Sequence, residues 1–272
     1  MKHYNRLVGT LLLFLTLIMS SCGEYVRVQK STDVMEKYSY AKKYYNTKKY
    51  SRAATLLEEV VPYLKGTGEA ENSLFLLAQT YDALKDYQNA QIRYKEYYTT
   101  YPSGQFAEEA HFLSGYVLAQ DVPDPRLDQS KTYEAIRELQ SFVDNYPNST
   151  RTADAKKQLF DLQEHLAYKE LLTCRLYYNL GNYLFNNYES CIITARNATK
   201  DFPFSDYKED FHYLVVSSLY EVARNSVIEK QQTRLRDLRD EYYNYINEFP
   251  NGKYVKQVEK YFAYADKHIR EE

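Results

Sequence analysis

Tryptophan is absent from this 272-residue chain, and glycine and proline are scarce at 8 and 7 residues. Few breakers and many aromatics, 31 Tyr and 12 Phe, favour long helices joined through large interlocking side chains. The lack of Trp also removes the best ring for stacking on a sugar. Charge of one sign is missing too: 35 Lys and Arg against 37 Asp and Glu leave a net charge of -2. Nothing in that balance calls for nucleic acid or a strongly charged substrate. There is no HExxH, no G-x-S-x-G, no glycine-rich phosphate loop and no Cys/His cluster at metal-ligand spacing. The five histidines, at 3, 111, 165, 212 and 268, are scattered. Adjacent carboxylates such as Glu58-Glu59 point in different directions on a helix, so they do not form an acid/base couple. These absences predict no catalytic residues, no metal and no cofactor.

Only one long apolar run is present, Leu7 to Met19, preceded by Lys2 and Arg6 and followed by Met-Ser-Ser-Cys. It is too short to span a bilayer, which takes roughly twenty residues. A charged start, a short apolar core and small residues before a cut site describe a secretory signal. Cys22, directly after Ser21, makes it resemble a lipoprotein signal, in which the cysteine is lipidated and becomes the mature N-terminus. Met19 stands where such signals usually carry Leu, Val or Ile. Two or three acyl chains anchor stably where one binds marginally. Gly23 replaces the Asp that retains many such proteins in the inner membrane, and no acidic run follows. The expectation is therefore a lipid-anchored protein on the periplasmic face of an outer membrane. Cys174 and Cys191 could pair in an exported chain; the preferred reading is that each is a small buried core residue.

The mature part carries an internal repeat. Tyr101-Pro102-Ser103-Gly104, Tyr146-Pro147-Asn148-Ser149, Phe202-Pro203-Phe204-Ser205 and Phe249-Pro250-Asn251-Gly252 share one form, with proline intervals of 45, 56 and 47 residues. Pro62 suggests an earlier one. Proline stops a helix because it lacks an N–H and forces the preceding residue out of the helical region. Leu74, Leu77, Ala78, Tyr81, Ala90, Tyr94 and Pro102 match the tetratricopeptide (TPR) spacing. Thirty-seven residues back, Tyr40, Ala41, Tyr44, Ala53 and Leu57 repeat it; forward, Ser114, Gly115 and Leu118 do so, followed by Ala135, Leu139 and Phe142. Residues 120–131, with Pro123 and Pro125, read as an inserted loop. Residues 150–202 read as two long helices, or three with a break near His165 to Lys169. Ile228, Leu235, Leu238, Tyr242, Tyr245, Ile246 and Phe249 mark an amphipathic helix, and Val255–Ile269 a capping helix. The predicted fold is all-α, a TPR-like helical-hairpin solenoid of about five repeats. The expected segments are a signal at 1–21, an anchored tail at 22–32, N-terminal repeats with a substrate groove at 33–149 and C-terminal repeats for partner docking at 150–272.

In TPR arrays the first helices of successive pairs line a groove. By spacing, the groove candidates are Met35, Tyr38, Lys42 and Tyr45, then Asn72, Phe75, Gln79 and Asp82, then Phe112 and Tyr116. Aromatics mixed with a few polar groups suit an extended peptide with an apolar end. Arg175, Arg196 and Lys200 are candidate contacts for a partner of the C-terminal repeats.

The segment Tyr146, Pro147, Asn148, Ser149, Ala153, Asp154, Ala155, Leu159, Leu162, Leu166, Ala167, Glu170, Tyr177, Tyr178 and Gly181, behind a lipoprotein signal and TPR units, resembles the BamD family of outer-membrane β-barrel assembly lipoproteins. His165 departs from the family's usual Arg, and the stretch from Gly181 to Pro203 is longer than usual. The resemblance implies a non-enzymatic periplasmic scaffold without cofactor. Its C-terminal repeats would bind the periplasmic POTRA domains of a BamA-type barrel subunit, and its N-terminal repeats would recognise unfolded β-barrel precursors. Two other readings stand beside it. One is a generic periplasmic TPR adaptor. The other is a SusD-like glycan binder, although those proteins are about twice as long and this chain has no Trp.

Overall fold

Wherever an aromatic-proline pair stands, a helix has just ended. The computed structural model describes residues 23–270; the signal segment and Cys22 lie outside them. Among the described residues there are twelve helices and no strand. They are α1 (residues 23–29), α2 (Val34–Asn46), α3 (Tyr50–Leu64), α4 (Ala70–Ala83), α5 (Tyr87–Thr100), α6 (Ala107–Ala119), α7 (Ser130–Asn145), α8 (Thr152–Leu180), α9 (Asn187–Asp201), α10 (Lys208–Arg224), α11 (Ile228–Glu248) and α12 (Val255–His268). Helices α5, α7, α9 and α11 each stop one residue before the aromatic of an aromatic-proline exit. The architecture is an all-α helical repeat, as the periodicity predicts.

Pro62 behaves differently from the expected exit. It sits inside α3, which runs two residues further to Leu64. So near the C-terminal end its missing N–H forfeits one intrahelical bond, and the turn falls later, at Gly66, whose φ of +82° favours glycine. Nor does a break occur near His165 to Lys169: α8 is continuous over 29 residues.

Two compact units divide the described residues, one comprising residues up to 122 with 133–156, the other residues 123–132 with 157 onward. In the first unit the TPR-pattern residues form the core. Leu74, Leu77 and Ala78 of α4 and Ala90 and Tyr94 of α5 are all buried, as are Ala41 and Tyr44 of α2 and Ala53 and Leu57 of α3. Tyr81 is half-buried and donates its hydroxyl to Glu58 at 2.8 Å. Gly115 of α6 permits a close helix approach. A Cβ there would lie 2.8 Å from Leu139 Cγ and 2.9 Å from the Leu139 backbone nitrogen of α7. The second unit has its own core, built from Ala167, Leu171 and Cys174 of α8, Cys191, Ile192 and Ala195 of α9, Phe211 and Val215 of α10, Leu235, Leu238 and Tyr245 of α11, and Val258 and Ala265 of α12.

The four exits are built in two ways. In the first unit the fully buried Tyr97, four residues before Tyr101, donates its hydroxyl to Glu71 at 2.9 Å and accepts from the Phe106 backbone N–H at 3.2 Å. Glu71 also accepts from the Gln105 N–H at 3.3 Å. In the second unit Tyr245, four residues before Phe249, donates to Glu209 at 2.6 Å, and Glu209 accepts from the Tyr254 N–H at 3.3 Å. Each tyrosine–glutamate clamp ties the end of one hairpin to the start of the next helix, and each is threaded by a glycine. A Cβ on Gly104 would lie 2.6 Å from Glu71 Oε2 and 2.9 Å from the Tyr97 hydroxyl; one on Gly252 would lie 2.9 Å from the Tyr245 hydroxyl. At the other two exits the residue four before the aromatic is Phe142 or Ala198, neither of which can clamp. There serine replaces glycine and its Oγ caps the next turn, accepting from the Arg151 N–H at 3.0 Å or the Tyr207 N–H at 3.1 Å.

Candidate functional site

Helix α2 begins at Asp33, whose side chain caps it by accepting from the Met35 and Glu36 N–H groups at 2.8 and 3.1 Å. That start fixes which residues share a face. Tyr38, Lys42 and Tyr45 follow one another at steps of four and three, and α4 presents Asn72, Phe75 and Gln79 in the same way. The two faces line one cleft of about 480 Å³, together with Asn46, Glu69, Leu76 and Phe106.

Its floor is aromatic. Tyr38 and Phe75 are buried, at 1% and 4% exposure. Phe75 stacks on Phe106 at 4.4 Å and meets Tyr94 and Tyr97 edge-on at 5.8 and 5.5 Å, so the floor is tied to the α5 core and to the clamp at Tyr97. Lys42 places its ammonium 4.3 Å from the centre of the Tyr38 ring. Burial, followed by the nearby Glu69 carboxylate, pushes the Tyr38 hydroxyl up to about 12, so it stays protonated at neutral pH. The rim carries three amides, Asn46, Asn72 and Gln79, each with donors and an acceptor. An aromatic floor with amide rims can take side chains below and pair with peptide N–H and C=O groups at its edges.

Six of the ten groove candidates line this cleft. Met35, 53% exposed, does not. Asp82 lies further along α4, half-buried, and burial raises its carboxyl above the usual value. Phe112 is buried in α6 and stacks on Tyr116 at 5.6 Å, with the Arg151 guanidinium 5.3 Å from its ring centre. Asn46 and Leu76 continue the helical spacing of their neighbours and were open to the same reasoning. Phe106 comes from the start of the following hairpin, and only the tertiary fold brings it in.

Of the partner-docking candidates in the second unit, Arg175 is exposed on α8 and pairs with Asp210 at 3.3 Å. Arg196 and Lys200 lie one turn apart on α9, both exposed. Arg196 pairs with Glu241 at 2.9 Å and borders a cleft of about 370 Å³ over Ile192, Leu219 and Val222, with Asp237 and Asp240 on its rim. Sequence reasoning missed Asp210. It is 5% exposed and accepts from Arg175, from Lys253 at 2.7 Å and from the Tyr254 hydroxyl at 2.7 Å. Among the described residues no group of His, Cys, Asp and Glu could hold a metal ion, and no helix is long and apolar enough to cross a membrane.

The hairpins, their TPR spacing and a cleft between first helices define a tetratricopeptide-type helical repeat protein. Within that class, residues 30–186 match the YfiO family of outer membrane lipoproteins, and the chain belongs to it. An Aquifex aeolicus protein provisionally named outer membrane protein assembly factor BamD is 24% identical over 97% of this chain and 85% of its own length. The Caulobacter vibrioides outer membrane protein assembly factor BamD is 25% identical over 47% of this chain and 42% of its own. A thermophilic TPR protein of Thermus thermophilus aligns with 86% of this chain and all of its own at 13% identity and a TM-score of 0.32.

Proposed function

We propose that this protein is an outer-membrane protein assembly factor, a lipid-anchored periplasmic scaffold that binds other proteins and performs no catalysis. Membership of the YfiO family, with one relative named as an assembly factor matching across almost the whole chain, supports the role. The cleft between α2 and α4 carries the finer reading. Its aromatic floor and amide rim suit an extended, apolar-ended segment of an unfolded β-barrel precursor, and Tyr38, Lys42, Tyr45, Asn72, Phe75 and Gln79 are its contact residues. Met35, Asp82, Phe112 and Tyr116 extend the same binding face. The second unit, through Arg175, Arg196 and Lys200, docks the POTRA domains of a BamA-type barrel subunit. Cys22 carries the lipid that holds the scaffold on the periplasmic face of the outer membrane.

Two measurements test this. The chain, tagged after Glu272, is purified from detergent-solubilised envelopes and its companions identified by mass spectrometry. A stoichiometric barrel protein with several POTRA domains is expected. Its absence, under conditions that preserve other outer-membrane complexes, would leave a periplasmic TPR adaptor as the better reading. The cleft is tested with a synthetic peptide from the C-terminus of an outer-membrane barrel. Asn72→Ala with Gln79→Ala removes two side-chain hydrogen-bonding groups, at about 1 kcal/mol each, and should weaken binding about tenfold or more. Unchanged affinity in the folded double variant would refute the cleft as the binding site.

A further inference from the structure

Cys174 and Cys191 are both fully buried free thiols in the second unit, at 0% exposure. Helix α8 carries the first and α9 the second, and a short turn joins the two helices. That turn is held by its own hydrogen bonds. Gly181 adopts φ +55°, and the Asn187 side-chain amide donates to the carbonyls of Gly181, Tyr183 and Phe185 at 3.1, 2.9 and 3.2 Å. Just inside it the rings of Tyr178 and Tyr188 meet edge-on at 5.7 Å.

This ring pair sets the register of the hairpin. In an antiparallel helix pair, one turn back along the first helix is matched by one turn forward along the second. From Tyr178 and Tyr188 that step leads to Cys174 and Cys191; further steps lead to Leu171 and Ala195, then to Ala167 and Ala198, all in the same buried cluster. The register therefore sets the two thiols opposite each other. Their ionisation agrees with contact: a hydrogen-bonding contact with Cys191, together with burial, raises Cys174, while the same contact lowers Cys191.

We propose that Cys174 and Cys191 form an intramolecular disulfide when the chain folds in an oxidising compartment, the oxidant being a small-molecule or protein disulfide donor. While the chain is still open, one of the two cysteines loses its proton to solvent and attacks one sulfur of the donor, breaking its S–S bond and releasing one donor thiolate. That thiolate takes the proton of the other cysteine. The second cysteine sulfur then attacks the first cysteine's sulfur in the mixed disulfide and releases the second donor thiolate, which takes up a proton from solvent. One S–S bond is formed and one broken; two electrons pass to the donor, which leaves as two thiols. Because both sulfurs are buried once α9 docks, exchange happens during folding and the finished bond is shielded from reductant. The bond staples α8 to α9 below the exposed Tyr183-Leu184-Phe185 tip. That such a compartment is met in the cell rests on the export reading above; the refolding test below does not.

The full chain, purified in detergent, is unfolded with reductant and refolded with oxidised and reduced glutathione. Blocking with N-ethylmaleimide, digestion and mass spectrometry then report each cysteine separately, Cys22 included. The expected product is a peptide pair linking Cys174 to Cys191, lighter by two hydrogens than the two thiols. For a loop of this size the oxidised chain should melt about 5–10 °C above the reduced one. Refolded protein with normal helical content whose two cysteines remain free thiols, or carry only glutathione, would overturn the proposal. If refolding yields no native chain, acid-quenched alkylation of cells decides the matter. Protection of both cysteines until reduction supports the disulfide, and alkylation of both without reduction overturns it. Recovery of the chain from cytosol instead of envelope would remove the export reading and leave the refolding result standing.

Discussion

The two exit types make a prediction that single substitutions alone do not. Gly104→Ser places a Cβ 2.6 Å from Glu71 Oε2, 2.9 Å from the Tyr97 hydroxyl and 3.0 Å from Tyr101 Cβ. Both oxygens are chain ends, but they are pinned to each other by a 2.9 Å hydrogen bond and by the backbone N–H groups of Gln105 and Phe106. Making room breaks at least one of those bonds, so the substitution should cost about 2 kcal/mol, in the range of buried overpacking. Tyr97→Phe removes the hydroxyl and leaves the Phe106 N–H without its acceptor. A hydrogen bond to a half-exposed carboxylate is worth about 1.5 kcal/mol. The pair is not independent. With phenylalanine at 97, Glu71 is held only by the Gln105 N–H and can move aside, and serine finds the space and capping role that Ser149 has beside Phe142. The double variant should therefore cost at least about 1 kcal/mol less than the sum of the singles, a coupling well above the roughly 0.3–0.5 kcal/mol scatter of independent sites. Urea unfolding followed by far-ultraviolet circular dichroism measures all four proteins, since the chain has no Trp to report by fluorescence. Additive costs would refute the clamp as the reason for glycine at this exit.

Three further outcomes are expected. Gly115→Ala should lower stability by about 2 kcal/mol, although alanine is the better helix former by about 1 kcal/mol, because Leu139 blocks the new methyl with its backbone; a stabilised variant in the same unfolding assay would contradict the close approach. Asp210→Ala should cost about 2–3 kcal/mol, below the range for a fully buried pair because Arg175 and Lys253 are half-exposed and water can take them back; a loss under about 0.5 kcal/mol, the size of an ordinary surface change, would show that the cluster is not structural. The tyrosines set the alkaline limit. Burial first, with neighbouring carboxylates in support, raises Tyr38, Tyr81 and Tyr254 to about 12. A folded value above the unfolded one of about 10 gives stability that is complete below about pH 10 and lost as pH rises towards about 12. The urea midpoint should hold from about pH 8 to 9.5 and fall steeply from there, and a flat midpoint to about pH 11.5 would exclude this linkage.

Much of this architecture could be read from local chemistry. An aromatic-proline pair is a helix stop wherever it occurs, and all four such pairs end a helix within one residue. Pro62 misleads because a proline in the last turn loses only one bond, which the burial of Val60, Val61 and Leu64 outweighs. The continuity of α8 follows from the buried stripe Leu159, Leu162, Leu166 and Ala167, which carries the helix through the histidine and lysine where a break was open. The cleft was accessible to spacing along α2 and α4, since Tyr38, Lys42 and Tyr45 stand on one face whatever packs beside them. Phe106 was not, because its place depends on how one hairpin stacks on the next. The clamps were hidden for the same reason: Tyr97 and Glu71 are 26 residues apart and Tyr245 and Glu209 are 36 apart. Their trace in the sequence is a covariation within the chain, glycine after tyrosine and serine after phenylalanine or alanine.

Arg175 and Arg196 are not idle cations. Asp210 holds one and Glu241 the other, so an acidic partner arriving at either position meets an occupied hand. Association there becomes an exchange: one ion pair opens as another closes, and few counterions are set free. Such contacts add little to affinity and give it a shallow dependence on salt. What they add is discrimination, since a carboxylate placed slightly out of line cannot compete with the internal one and is left desolvated without a partner. A partner docked on these arginines as proposed would thus be told apart from others by geometry at constant charge.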